Sequence, residues 1–502
     1  MSCVIGLDIG TTSTIGILIR MPGERLALAS RPVTLSHRHA GWAEEDPQQW
    51  WDNVCAIIPQ LLAQAGVPAS EVKAVGVSGM VPAVVLLDAN GALLRPSIQQ
   101  SDGRCAQEVQ ALRRQFDEAA FTQRTGNGIN QQLVAAKLLW VARHEPQVFD
   151  RIHTVLGSYD YINFRLTGAR HVEQNWALEA GFVDLASGKI AADLVAAGGI
   201  STDQVPPLAL SRSIVGEVTQ QAALATGLQA GTPVVAGLAD HVGSAWAAGV
   251  QGPGDMLVKL GGAGDILLAS NEARPDPRLF LDYHPVPGLY MPNGCMACSG
   301  SLLNWFASHF GGAAQDHPGQ SRHQQLDHWA SSVPAGSDGV RTLPYFLGEK
   351  TPIHNPLARG TFTGLGLHHG PEHLWRSLLE GVAFGIRHHV EVFDEIGMHA
   401  TRVLASDGGA ASALWLQIIA DVIDRPVQPL SGHPGSCLGA AWIAALGSGL
   451  TTDAQGAQAF VQLAPLVEPQ AKNRAVYDAA YGDYRSLYGA LQPLFDTMGA
   501  RP

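Results

Sequence analysis

Apolar and polar positions along this chain switch repeatedly between the strand period and the helix period, and that switching predicts an α/β protein. The apolar runs 4–8 (VIGLD) and 15–19 (IGILI) flank a polar turn and read as short strands. A helix is predicted from Pro47: Asp46 is placed to cap it, Pro47 takes the first helical position and Gly66 stops it. Runs 74–78 and 84–87 read as strands, the second closed by the turn Asp88–Gly91, and 132–143 reads as a helix ending before Pro146. After a more polar, Pro-rich stretch over 200–233 the pattern restarts. It gives strand 233–238, helix 241–249, strand 256–260, a glycine turn 261–264 and strand 265–269. A long helix over 372–396 carries Leu374, Leu378, Val382, Ile386, Val390 and Phe393 at the spacing of one buried face. A last helix is predicted over 473–491, able to pack on either half. The strand–glycine turn–strand near residue 10 is echoed near residue 262, which predicts two related α/β lobes meeting near residue 250.

Composition narrows the functional classes. The 502 residues are 46% hydrophobic and 15% charged, so the chain can bury large cores and is not intrinsically disordered. A net charge of −12 with no Lys/Arg block argues against nucleic-acid partners and against an anionic membrane surface. No apolar run reaches membrane-span length. The opening MSCVIGLDIGTTS lacks a basic leader and holds Asp8 inside its apolar run, unlike a signal peptide. Six scattered cysteines do not form a disulfide framework, so a reducing cytoplasm is the expected compartment. The 56 glycines point to many tight turns and close backbone approaches.

Four short motifs carry candidate chemistry, each with a plainer reading beside it. Asp8-Ile-Gly10-Thr11-Thr12-Ser13 between two strands can hold a Mg²⁺-bound phosphate, with backbone N–H groups and hydroxyls around the anion, or can be an ordinary hairpin turn. Asp240, between a strand and a small-residue helix, is either a functional carboxylate or a helix N-cap. The turn Leu260–Gly264, with Gly261 and Gly262, can wrap a second phosphate or simply reverse the chain. Ser406-Asp-Gly408-Gly409 before the helix 413–423 offers a surface for a planar base, although a lone Gly-Gly is weak on its own. Cys295 and Cys298 have metal-pair spacing but no second pair, so packing thiols are the better reading. The doublets His368-His369 and His388-His389 read as surface or satisfied polar groups, and Trp50-Trp51 as helix packing.

Taken in order, these segments resemble the FGGY family of carbohydrate kinases, closest to its xylulokinase-like branch. The resemblance runs from Val4 to about residue 447. It is carried by GLDIGTTS, GWAEEDPQQWW (41–51), DGRC (102–105), KLLWVARHEP (137–146), LADHVGSAWAAG (238–249), PYFLGEKTPIHNPLARGTFTGL (344–365), HLWRSLLEGVAFGIR (373–387) and SDGGAASALWLQIIAD (406–421). It implies two ribonuclease-H-like lobes of the actin-like ATPase type with a cleft between them. Residues 1–248 would be the sugar-binding N-terminal lobe and 249–502 the nucleotide-binding lobe. It implies an ATP-dependent sugar kinase with Mg²⁺, a small sugar as partner and, by resemblance only, a homodimer.

Carried over residue by residue, the resemblance makes Asp240 the catalytic base and a sugar contact, and Asp8 the metal ligand. Gly10, Thr11 and Thr12 would cradle the transferring phosphate. Gly261 and Gly262 would contact the nucleotide phosphates, and Gly408 and Gly409 the adenosine. Met80, Val81, Gln100 and Asp102 would face the sugar, and Lys350 is tilted towards the cleft. The sugar side departs from the branch's pattern. Ser78-Gly-Met-Val-Pro82-Ala has Pro82 where Ser-Gly-Gln-Met-His-Gly has the histidine, and Gln100-Ser101 replaces Trp-Asn before Asp102. Val134 and Gly262 replace small hydroxyl residues. These departures predict a pentulose or polyol other than D-xylulose. The rival classes are an actin-like or sensor ATPase and a sugar-binding pseudokinase; ATP consumption independent of any polyol would favour the first.

Overall fold

A computed structural model describes residues 2–39, 41–311, 319–433 and 435–499. The chain divides into two compact units, the first made of 1–251, 271–292 and 434–460, the second of 252–270, 293–433 and 461–502.

In the first unit the central sheet runs Ile214–Glu217, Pro233–Val235, Val72–Gly79, Cys3–Ile9, Ser13–Arg20, Glu24–Pro32, with Leu238–Ala239 also paired to Val72–Gly79. Cys3–Ile9, Ser13–Arg20 and Glu24–Pro32 form an antiparallel meander, and Val72–Gly79 then pairs parallel to Cys3–Ile9. Every residue of Cys3–Ile9 is buried, which is why the strand reads as a continuous apolar run rather than an alternation. The helix Pro47–Ala65 starts as predicted: the Asp46 carboxylate accepts from Gln48 N at 2.9 Å, and Gly66 ends it at φ 62°. The helix Ser436–Gly447 lies closer to the sheet than side chains normally permit. A Cβ on Gly6 would stand 2.0 Å from the Cys437 carbonyl oxygen, and one on Gly76 2.0 Å from that of Ala440. Backbone rests on backbone, and only glycine allows it.

That contact draws a distant segment into the first compact unit. The helix Ser436–Gly447, far along the chain, seats closely on the N-terminal sheet, and 434–460 belongs to the first unit. Residues 271–292 join it for a different reason. Asn127 and Asn175 bind the backbone of the strand Phe280–Tyr283 through both ends of their amides, at Leu281 (3.0 Å each way) and Tyr283 (2.9 and 2.7 Å).

The second unit repeats the topology. Residues 293–296, Gly264–Leu268 and Asp255–Leu260 form an antiparallel meander, and Arg402–Ser406 and Val427–Ser431 follow in parallel. The echo read near residues 10 and 262 is therefore a repeated ribonuclease-H-like sheet. The long helix spans Pro371–Glu395; Leu378, Val382, Ile386, Val390 and Phe393 are buried as expected, and Leu374 in its first turn is half-buried. The final helix, Arg474–Gly499, belongs to this unit, with Tyr477, Tyr481 and Tyr484 around Phe384. Among the described residues no helix is long and apolar enough to cross a membrane.

Two glycines separate close packing from conformational freedom. Gly76→Ala must push the Ser436–Gly447 helix off the sheet and should cost about 1–3 kcal/mol or more. Gly482→Ala, exposed in the last helix with nothing near its added carbon, should gain about 0.5–1 kcal/mol. Thermal unfolding midpoints of the two variants should move in opposite directions.

Candidate active site

The first candidate groups emerge where parallel strands end. Asp8 pairs with Ser78, and Ser78 pairs with Leu238 on its other side. With about 4.8 Å between strands, the backbones of residues 8 and 238 stand roughly 10 Å apart, and Asp240 lies two residues further on. Carboxyl ends of adjacent parallel strands are where α/β sheets leave room for ligands. The strand predicted over 233–238 is broken at Gly237 (φ 90°), where a Cβ would lie 1.9 Å from the Val77 carbonyl oxygen. Asn163 holds the break by donating to the carbonyls of Val235 (3.2 Å) and Ala236 (2.8 Å). The kink delivers Asp240 to the sheet edge.

Asp8 is nearly buried, at 8% exposure, and Ser78 Oγ donates to its Oδ1 at 2.9 Å. Its Oδ2 points towards Gly10, 3.6 Å from where a Cβ would sit. Gly10 N closes the turn by donating to Ser13 O at 3.1 Å, Thr11 is half-buried with its hydroxyl on Met80 Sδ at 3.7 Å, and Thr12 is exposed. Met80 N donates to Ile9 O, which ties the 80–82 segment and its cis Val81–Pro82 peptide to the same strand end. Met80 and Val81 are buried, at 2% and 6% exposure. Gln100 is half-buried, and its Oε1 has no hydrogen-bond partner.

Asp240 does not cap its helix. Ala239 holds the cap position and Asp240 is the first helical residue, with a side chain 35% exposed. Its Oδ1 accepts from His241 N at 2.7 Å and stands 3.3 Å from His241 Nδ1. The other face of that imidazole meets acids from two further elements: Asp282 Oδ2 at 2.8 Å and Glu179 Oε1 at 3.8 Å. Burial, then the Asp282 charge, pushes the Glu179 carboxyl well above the usual range.

Asp102, expected on the sugar side, lies in a charged cluster. It is fully buried, and its oxygens are taken by Ala43 N (2.6 Å) and by Arg104 N, Nε and Nη2 (3.0, 2.8 and 2.7 Å). It therefore anchors Arg104, whose guanidinium lies 3.8 Å from the Trp42 ring centre. Nearby, Lys137 is wholly buried and donates to Gln99 O at 2.8 Å; burial lowers its pKa to about 8.

In the second unit the glycine turns again follow parallel strands. Gly261 and Gly262 end Asp255–Leu260, and their carbonyls accept from Gly300 N (2.7 Å), Ser299 N (2.8 Å) and Ser301 N (3.1 Å), which fixes the turn against the start of the helix Gly300–Phe310. Gly408 and Gly409 follow Arg402–Ser406. A Cβ on Gly408 would meet nothing, whereas one on Gly409 would stand 2.4 Å from the Trp415 ring. Ser412 caps the next helix by accepting from Trp415 N at 3.0 Å.

The model of the FGGY family of carbohydrate kinases, N-terminal domain, matches residues 3–247, and that of its C-terminal domain matches 260–448. The chain belongs to the FGGY family of carbohydrate kinases. It is 32% identical to an Escherichia coli protein named xylulose kinase, over 98% of this chain and 99% of that one, and 30% identical to one so named from Bacillus subtilis, over 97% of each. A crystal structure titled as xylulose kinase from Rhodospirillum rubrum superposes with a TM-score of 0.92 at 55% identity, covering 98% of this chain and all of that one. The protein is thus an ATP-dependent sugar kinase.

The kinase's first unit collects Asp8, Gly10–Thr12, Met80 and Asp240 at one sheet edge. Lys350 is half-buried beside the Cys295 thiol, Nζ to Sγ 3.7 Å. Cys295 and Cys298 are both free thiols. His389 is buried and satisfied by Thr351 and Gly385 O, whereas His368 and His369 gather round Asp338. Sequence reasoning missed Glu179 and Asp282. Neither lies in a motif, and each reaches His241, beside Asp240, through tertiary contacts.

Lys137 gives the kinase a pH signature. In the unfolded chain its amine holds a proton up to about pH 10.5, whereas the folded one releases it near 8. Between these values the unfolded state binds more protons, so this group makes stability rise with pH. Lys137→Met should remove that rise: wild type gains thermal midpoint relative to the variant as pH goes from 8 to 10.

Proposed function

We propose that this kinase transfers the γ-phosphoryl group of ATP to a hydroxyl of a pentulose, with Asp240 as general base. The observation that carries the reading is the shared register of Asp8 and Leu238 with Ser78, which brings two acids to one sheet edge. Asp240 is partly exposed and its Oδ1 is held by the His241 amide, which orients the carboxylate to receive a proton from a hydroxyl. It would take that proton as the oxygen bonds to phosphorus and the bond to the departing ADP oxygen breaks.

Phosphoryl transfer demands positioning and charge stabilisation more than covalent chemistry. The Gly10–Thr12 turn would supply N–H groups and hydroxyls to the transferring group. The turns at Gly261–Gly262 and Gly408–Gly409 would take the nucleotide phosphates and the adenosine. The donor set at Asp8 suits Mg²⁺: one carboxylate beside the hydroxyls of Ser78 and the Gly10–Thr12 turn, oxygen donors of the kind this ion takes together with phosphates and waters. There it would neutralise phosphate charge.

The substrate class follows from the relatives' names and from the sugar-side residues. Pro82 offers neither a side-chain donor nor an N–H where the xylulokinase-like pattern has histidine, and Gln100 leaves a buried oxygen without a partner. We infer a pentulose other than D-xylulose. With ATP available and the six thiols free, the cytoplasm is the fitting compartment.

Asp240→Asn should lower kcat by about 10²–10⁴ with ATP affinity unchanged; near wild-type turnover would refute the base. Phosphorylation of a panel of ketoses and polyols should show the highest kcat/KM for a pentulose. D-xylulose leading by a wide margin would overturn the narrower inference.

A further inference from the structure

The residue after Asp240, His241, is an ionisable side chain surrounded by carboxylates. Three elements converge on the His241 ring: its own helix brings Asp240, the end of the helix Gln174–Glu179 brings Glu179, and the strand Phe280–Tyr283 brings Asp282. Each attachment is itself constrained. Glu173 caps the short Gln174–Glu179 helix, its carboxylate accepting from Asn175 N at 2.8 Å. Asn127 and Asn175 grip the residues on either side of Asp282, which turns that carboxylate towards the ring. Lys137 is a further cation within electrostatic reach of Glu179.

Both ring nitrogens of His241 face carboxylates, Nδ1 at 3.3 Å and Nε2 at 2.8 Å. A neutral imidazole has one N–H and would present a lone pair to one of these acceptors; only the imidazolium donates to both. The 2.8 Å contact is at hydrogen-bond distance, and it leaves Nε2 engaged rather than open to a metal.

We propose that His241, held as an imidazolium by Asp282, is a positioning residue for the base Asp240: it fixes Oδ1 and keeps the carboxylate ionised. The inference rests on Asp240 being the base. Burial alone would lower the histidine's pKa, but Asp282, followed by Asp240 and Glu179, outweighs it and holds the value well above the ordinary one. The sign follows. A cation at this distance favours the charged form of Asp240, so the base stays ready at lower pH than it would among Glu179 and Asp282 alone. During transfer Asp240 gains the alcohol's proton, and His241 keeps its own two throughout.

The experiment combines pH profiles with imidazole NMR. In His241→Asn the acidic limb of kcat/KM should move up by about one pH unit or more, with KM for ATP unchanged; an acidic limb that stays in place overturns the proposal. In wild type the His241 ring should remain doubly protonated from pH 6 to 8, and in Asp282→Asn it should titrate inside that range. A neutral His241 ring at pH 7 in wild type also overturns it, and this measurement stands even where the His241 variant fails to fold. Normal sugar turnover with an unmoved limb removes only this inference. Absence of turnover with every polyol in wild type removes the kinase reading and this inference together.

Discussion

Ser78 pairs with Asp8 on one side and with Leu238 on the other, and this register fixes, to within one residue's rise, where two acidic side chains leave the sheet. A slip of one residue would turn each side chain to the opposite face. Several features hold the register. Gly6 and Gly76 let the helix Ser436–Gly447 sit directly on the strand backbones, and Gly237 lets the third strand pass over Val77 before it releases Asp240. The same glycines that lower local stability by their freedom are required for close approach, so here packing outweighs propensity.

The repeated topology gives each unit the same opportunity at the same place. In both, a meander of three strands is followed by parallel strands, and glycine-containing turns sit at their carboxyl ends. The two differ in what the turns carry. The first unit places ionisable groups there: Asp8, and Asp240 backed by His241. The second places bare backbone at Gly261, Gly262 and Gly408, with carbonyls committed to the following helix and open space around Gly408. A family of phosphotransferases can use one architecture for both duties because strand ends supply position, and the residues there supply chemistry.

Buried charge in the first unit is paired rather than avoided. Asp102 with Arg104, and His241 with its three acids, are clusters that would be costly if one partner were lost, since the remaining charge would stay desolvated. Their value lies in placement. Arg104 is held over Trp42, and Asp240 is held with one oxygen occupied and its side chain partly open to solvent. The Asp102 carboxylate accepts from Arg104 and from Ala43 N, which fixes the guanidinium beside it.

What the chain order alone determined is considerable. Apolar runs and glycine turns gave the strands and the internal repeat, Asp46, Pro47 and Gly66 gave a helix to the residue, and short motifs singled out Asp8 and Asp240, because each of these signals is local in sequence. Tertiary structure decided the rest. The helix at 436–447 belongs with the N-terminal sheet because its small residues match Gly6 and Gly76, a complementarity no single window contains. Glu179 and Asp282, 62 and 41 residues from His241 in sequence, meet it only because amide side chains and strand pairing draw distant segments together. Contacts at that separation leave no local pattern to read.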